Sequence, residues 1–485
     1  MIFAAQILSV ITGLIFTLLL SRNMSKQEYG IWANIFDFVG YFTLLSGLVP
    51  FWATRFVARG KEGTIKTGIS ASLILGLISM AIYLPLISLF TDALNISETY
   101  VLFYLIASLQ ILNLHVIGIL EGCVRAMKPH VIGYGLLVEE VSKVSLALVL
   151  IVGLRQMFLG AMLSLIVSSS IQTLYYMRFL SRDLMQKIQW KYLREWLKGS
   201  TANLYNAIGN QLAAFVLILL FLYGGQAARG EYQAAITFAN IVGYSSFLAF
   251  ALYPKLLARN SLKDVGLTFR TVLMFATPMA TITITMSKSL LTILNVFYGS
   301  SSPILILLTL DTFVLLISQF YNSLVLGTEG FDQDATISFN NLIKSRMFKV
   351  FTIPYIQAAI ALPTTYYVLT QLPISDSVQA VSYVTIINMS AHVATFLGLY
   401  AYLRSSVKMP ASWRNVGKYL FASAITGAEL YILPNPTTVL LTFAKVACGV
   451  ATYAALLLAI DTEARELVTL TLHEIKGIFR FDKRG

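Results

Sequence analysis

Stretches that are apolar enough and long enough to cross a bilayer recur about fourteen times in this chain and leave little room between them. A hydrocarbon core about 30 Å thick takes roughly 20 residues of helix. In that medium a helix satisfies its own backbone groups without water. The chain therefore reads as an all-α polytopic membrane protein of about 14 transmembrane helices, with spans near 3–20, 30–52, 67–90, 99–120, 131–152, 157–179, 200–224, 231–252, 267–295, 303–327, 346–370, 380–402, 415–434 and 438–460. Composition agrees: 12% of residues are charged, against about a quarter in soluble domains. The first span lacks a basic leader and a small-residue cleavage site, so it reads as a retained helix.

Lysine and arginine set the expected orientation. Alternate connections are basic, and together with the tail they hold 28 of the 35 basic residues, whereas the opposite connections hold Arg22, Lys26, Arg155 and Arg229. The positive-inside rule then places both termini in the cytoplasm, in a multi-pass protein of the cell membrane. The net charge of +12 is a topology signal and a match to anionic membrane lipids, and nucleic acid is excluded as a partner.

The longest polar segment, 181–199, carries Leu184, Ile188, Tyr192 and Trp196 at helical spacing among basic residues, which predicts an amphipathic cytoplasmic linker helix. Across it the sequence weakly repeats. Glu28, Tyr29, Val39, Gly40 and Tyr41 recur 203 residues later as Glu231, Tyr232, Val242, Gly243 and Tyr244. An even number of spans separates the copies, so the halves share one orientation. The predicted organisation is an N-lobe over 1–180, the linker over 181–199, a C-lobe over 200–403, two further helices over 404–460, and a basic cytoplasmic tail over 461–485. Two six-helix lobes would be related by a pseudo-two-fold axis, with two C-terminal helices appended.

The first helix ends in LLLSRNMSKQEYGIWANIFDFVGYF; a basic turn reads ATRFVARGKEG and the fifth span LVEEVSKVSLALVL. With a six, six and two division of spans, the chain resembles the polysaccharide-transporter branch of the multidrug, oligosaccharidyl-lipid and polysaccharide exporter superfamily. The stretch Ser21 to Gly30 is similar to that family's R-x-L-S-x-x-E-[FY]-G pattern, with Met24 where leucine is usual. The resemblance implies a flippase that takes a polyprenyl-(di)phosphate-linked oligosaccharide to the outer leaflet by alternating access. It also implies glycan-assembly enzymes as partners. A cation-coupled exporter of small molecules from the same superfamily is the alternative.

A glycan head needs hydrogen-bonding groups and a carrier phosphate needs cations, since both are costly to place in hydrocarbon. Asn203, Asn206 and Asn210 share one helical face beside Gln211, and Gln6, Ser9, Gly13 and Thr17 form the corresponding stripe in the first span. Interhelical amide packing is the alternative reading. Arg22, Asp37, Arg55 and Lys143 lie in or at the edge of apolar spans and are expected to line the cavity. Asp37, Glu139 and Glu140 are the candidates for coupling to a proton or sodium ion, against a plain helical salt bridge to Lys143. Lys288 with Asp311, and Glu429 with Lys445, are expected structural charge pairs.

Enzyme chemistry finds no footing. No GxxxxGK[ST] loop or HExxH is present, the four histidines are scattered, and Cys123 and Cys448 are lone thiols, so no catalytic group, metal or cofactor is expected. Asp332 and Asp334 fall on the expected cytoplasmic side, and the outer connections are too short for a glycan polymerase.

Overall fold

The structure, a computed structural model, describes residues 2–181, 183–249, 262–328, 345–404, 413–436, 438–466 and 468–469. Asp332, Asp334 and the basic end of the tail lie outside the described residues, as does the side chain of Gln6. What is described is helical, and no strand occurs among these residues.

The chain runs through α1 (Ile2–Asn23), α2 (Lys26–Phe42), α3 (Leu48–Ala58), α4 (Thr64–Ala93), α5 (Glu98–Met127), α6 (Pro129–Ala147), α7 (Met157–Phe179), α8 (Trp190–Gly199), α9 (Thr201–Ala214), α10 (Val216–Leu219) and α11 (Gln226–Gly243). There follow α12 (Leu262–Thr285), α13 (Ser287–Leu294), α14 (Ser302–Thr328), α15 (Arg346–Gln371), α16 (Ser377–Arg404), α17 (Trp413–Ile432) and α18 (Val439–Ile460). Each of the fourteen expected spans has a helical counterpart. Among the described residues, eight helical segments are long and apolar enough to cross a membrane, or nine with one bent pair counted as a single span.

That bent pair departs from the expected second span. Instead of one helix over 30–52, α2 and α3 meet at 53° across a short 3-10 turn, Leu44–Gly47. Pro50, in the first turn of α3, has no N–H to give the carbonyl one turn earlier, which suits it to a helix start just after the bend. The start of α2 is fixed by a capping box. Ser25 Oγ accepts from the Glu28 amide at 3.2 Å, and the Glu28 carboxylate accepts from the Ser25 amide at 2.8 Å. Pro129 opens α6, where its missing N–H costs nothing.

Packing divides the chain into two compact units, 1–234 with 330–391 and 235–329 with 392–485. The division falls within α11 and α16, not at the expected linker. In the first unit, α9 packs along α15, where Tyr205 stacks on Tyr355 at 4.5 Å and on Phe348 at 4.9 Å. The core of this unit gathers Trp52, Phe56, Ile119, Leu120, Cys123 and Tyr176 from α3, α5 and α7, and Trp196 of α8 joins it. In the second unit α12 is the centre: Val272, Ala276 and Ala280 bury against Leu316, and Tyr453 of α18 donates to the Met274 carbonyl at 2.7 Å.

Within the first unit α2 crosses the first turns of α11 glycine on glycine. A Cβ on Gly30 would run into the Gln226 carbonyl, and one on Gly230 into the Lys26 carbonyl. Small residues at a helix crossing let backbones approach this closely. Gly30→Ala and Gly230→Ala are each expected to lower stability by about 1 to 3 kcal/mol through overpacking against backbone that cannot yield. Gly13→Ala, where nothing lies within 4 Å of the new carbon, should leave it unchanged or raised. Thermal unfolding of the detergent-solubilised variants reads the contrast, and equal midpoints for all three would contradict the crossing.

Candidate functional site

The glycine crossing brings four charged side chains of α2 and α11 together. Arg229 grips Asp37 with two parallel bonds, Nε to Oδ2 and Nη2 to Oδ1, both 2.8 Å, while Nη1 donates to Gln233 Oε1 at 3.0 Å. Planar guanidinium and carboxylate match in this fork arrangement. Arg229 is 3% exposed, so the pair is held away from solvent. About three turns back along α2, Lys26 Nζ lies 2.5 Å from Glu231 Oε1, with Glu231 fully buried. Asp37 thus lies in the expected span and is ion-paired, with a partner that was not foreseen. Lys26 and Arg229 fall in the expected outer connections and Glu231 at the first residue of the expected eighth span, and folding brings Arg229 and Glu231 of α11 against α2.

A second cluster joins α1 to α6. Glu140 accepts from Ser9 Oγ at 2.9 Å, from Thr12 Oγ1 at 2.6 Å and from Lys143 Nζ at 2.8 Å. Here the expected local salt bridge forms, at i,i+3. Its neighbour Glu139 forms no salt bridge among the described residues and lies within electrostatic reach of Lys143, Glu140 and Glu121. Glu121 of α5 faces Tyr176 and Gln172 of α7 and escaped the sequence analysis because it sits close to a basic turn. Folding therefore separates the two adjacent carboxylates, engaging Glu140 and leaving Glu139 as the unpaired one.

The amide row of α9 lies away from its packed tyrosine face. Asn210 is exposed and bonds back to the Asn206 carbonyl at 2.9 Å, and Asn203 and Asn206 are half-buried. The Gln211 side chain approaches Gly40, and its carbonyl accepts from Tyr41 Oη at 3.2 Å, so this amide belongs to the α2 contact. Arg22 is exposed in the last turn of α1. Arg55 lies over the Phe51 ring at 3.8 Å in the last turn of α3, where a cation faces the helix C-terminal carbonyls.

Both charge pairs expected in the later spans are corrected. Asp311 bonds His392 Nδ1 at 2.6 Å, not Lys288, which is exposed on α13 beyond the end of α12. Lys445 does not meet Glu429; its ammonium donates to the Leu433 and Pro434 carbonyls at 2.9 and 3.4 Å, closing the last turn of α17. Glu429 instead accepts from Cys448 Sγ at 3.4 Å. Similar depth along the membrane normal says nothing about which way a side chain points around its helix, and that direction decides the partner.

The second unit also carries a groove of about 390 Å³ between α12 and α18, walled by Met274, Phe275, Pro278, Met279, Val450 and Leu458. Its walls are almost wholly apolar. Among the described residues no group of His, Cys, Asp and Glu is placed to hold a metal ion.

This assembly of apolar helices with ion pairs set inside them is the fold of membrane transporters of the multidrug, oligosaccharidyl-lipid and polysaccharide exporter superfamily. It is similar to the lipid II flippase MurJ in its inward closed conformation, with a TM-score of 0.67 at 12% identity, over 96% of this chain and 99% of that one. It is also similar to the inward-facing conformation of a multidrug resistance MATE family transporter, at TM-score 0.65 and 13% identity over 82% and 96%. A MATE structure in complex with MaL6 matches at TM-score 0.55 and 14% identity over 82% and 93%. No curated protein sequence matches. The polysaccharide biosynthesis protein family matches residues 1–260, and the chain belongs to that family.

Breaking a buried ion pair by removing one partner costs about 3 to 5 kcal/mol because the other charge is left bare. Asp37→Asn and Arg229→Gln should each lower protein abundance in the membrane, and the double variant should recover most of it. Quantitative immunoblotting of membranes reads this, and a double variant as depleted as the worse single one would contradict the pairing.

Proposed function

We infer that the protein is a flippase that moves a polyprenyl-(di)phosphate-linked oligosaccharide from the cytoplasmic to the outer leaflet by alternating access, for the assembly of surface polysaccharide or glycoprotein glycans. The observation that carries this reading is membership of the polysaccharide biosynthesis protein family, supported by a fold shared along 96% of the chain with a flippase of a lipid-linked substrate. Shared fold alone would leave the substrate open. Export of small molecules coupled to a cation is the second reading, favoured by the likeness to the MATE transporter.

The geometry suits the first reading. In the orientation given by the basic connections, the starts of α2 and α11 face outward, so the Lys26–Glu231 pair lies toward the outer end of this crossing and the Asp37–Arg229 pair reaches deeper along α2. Opening to that side requires these pairs to part, which frees two cations where a carrier phosphate would arrive. The half-buried and exposed amides of α9 offer donors and acceptors to sugar hydroxyls. The apolar groove between α12 and α18 is suited to part of a prenyl tail, which stays in hydrocarbon. Glu139, unpaired beside Lys143, is the group through which a proton or sodium ion would act, with Glu140 fixed in place by its salt bridge and two hydroxyls.

Purified protein reconstituted in vesicles with a fluorescent polyprenyl-diphosphate oligosaccharide should expose the glycan to an external glycosidase faster than vesicles without protein. Cells lacking the protein should hold glycan-loaded carrier on the cytoplasmic leaflet and lose the surface glycan. Normal surface glycan in a deletion strain without a paralogue would overturn the reading. Glu139→Gln should keep full protein level and lose its dependence on an imposed ion gradient, whereas Glu140→Gln should lose protein. A cysteine at position 190 that an impermeant reagent modifies from outside would reverse the orientation.

A further inference from the structure

We propose that α8, docked on α3 within the first unit, is a binding site for the headgroups of anionic phospholipids in the leaflet it borders. This goes beyond transport of the substrate and does not depend on what that substrate is.

The argument begins with the distribution of side chains around ten residues. At about 100° per residue, Tyr192, Leu193 and Trp196 share one arc of α8, and this arc is docked. Trp196 is 1% exposed and meets Phe56 edge-on at 5.6 Å, and Tyr192 meets Phe56 at 5.2 Å. Gly199 lets the Trp52 ring approach so closely that a Cβ there would lie 2.5 Å from it. Backbone bonds pin the preceding segment: the Gln189 amide donates to Thr67 Oγ1 at 2.8 Å and the Gly63 amide to Gln186 Oε1 at 2.5 Å.

Beside the docked arc come Leu197 and Trp190, which are 48% and 52% exposed. Two large apolar side chains left open on a pinned helix next to membrane spans belong in acyl chains, and tryptophan favours the boundary between acyl chains and headgroups. The next arc holds Arg194, Lys198 and Lys191, all exposed. A helix whose apolar edge enters the bilayer and whose adjacent edge carries three cations places those cations at headgroup level.

The surroundings reinforce the sign. Lys187, Arg59 and Lys61 are exposed nearby in sequence or contact, and Lys61 lies over the Phe56 ring at 4.1 Å. The acidic groups on these segments are Glu195, Glu62 and Asp183, and Asp183 already accepts from Gln186 at 3.2 Å. Cations outnumber them, and each Lys or Arg near an anionic surface adds to the attraction. A solvated linker helix would instead carry its apolar residues on one docked face only, with polar groups on both flanks.

The test uses the full-length protein in vesicles containing phosphatidylglycerol or phosphatidylcholine with brominated acyl chains. The Trp190 signal is the difference between the wild type and Trp190→Phe. At equal mole fraction, brominated phosphatidylglycerol is expected to quench that signal several-fold more strongly than brominated phosphatidylcholine. In the triple variant Lys191→Gln/Arg194→Gln/Lys198→Gln the two lipids should quench alike, with quenching by phosphatidylcholine retained. Raising salt should reduce the preference of the wild type in the same direction, so the proposal stays testable if the triple variant is poorly produced. Equal quenching by both lipids in the wild type, a preference that survives in the triple variant, or a Trp190 signal untouched by either lipid would each overturn it. None of these readings involves transport, so they fail or hold apart from the proposed function.

Discussion

The fork between Arg229 and Asp37 is the contact on which the first unit turns. A guanidinium buried to 3% exposure is tolerable within an apolar helix pair only because every strong direction of its charge is met, by the two carboxylate oxygens and by Gln233. That fit requires α2 and α11 to come within backbone contact, which is why Gly30 and Gly230 stand at the crossing. Once α2 is fixed there, its far side is fixed too: Tyr104 donates to Asn34 at 2.7 Å and Phe38 stacks on Phe90 at 4.4 Å. The ion pair is thus linked through one rigid helix to the packing of α4 and α5.

Much of this was legible in the sequence, and the limits have physical causes. Hydropathy and the alternation of basic connections depend on local composition, so they located the helices and their order to within a few residues. The internal repeat depends on evolutionary duplication, and it fell on α2 and α11, the two helices that cross. Glu140 with Lys143 was readable because i,i+3 neighbours share a helix face whatever the fold. Asp37 with Arg229 was not, since 192 residues separate them. Arg229 was misplaced among connection residues because hydropathy cannot say that a polar turn folds back against a neighbouring helix. Lys288, Asp311, Glu429 and Lys445 failed for one reason: depth is encoded in sequence position, but azimuth depends on the crossing angles of helices that composition does not specify. The break before Pro50 could have been read from the residue itself, and the apolar run around it hid the signal.

Both units pair buried carboxylates with cations from distant elements. In the first, carboxylates meet cations from distant helices, Asp37 with Arg229 and Glu231 with Lys26. In the second, Lys418 meets the buried Asp461 and Arg270 meets Glu463, while Asp311 meets a histidine and Lys445 meets backbone carbonyls. A histidine changes its own charge on protonation and can leave a bond without a cation having to cross apolar surroundings. A lysine that caps carbonyls holds a turn and has nothing to release. Ion pairs therefore occur in both units, and Asp37–Arg229 and Lys26–Glu231 are those set at the glycine crossing.

This distribution bears on how such a crossing could open at all. Separating Asp37 from Arg229 in a dry interface would leave two bare charges, each costing several kcal/mol, and thermal motion would rarely achieve it. Separation becomes accessible when water or an anionic group takes the place of the lost partner at each step. Any anion reaching Arg229 would do this for the cation, and water would do it for Asp37. The glycines assist, because two backbones in contact without side chains have no interlocked surface to disengage. An ion pair joined to a glycine crossing is firm while dry and weak once wetted.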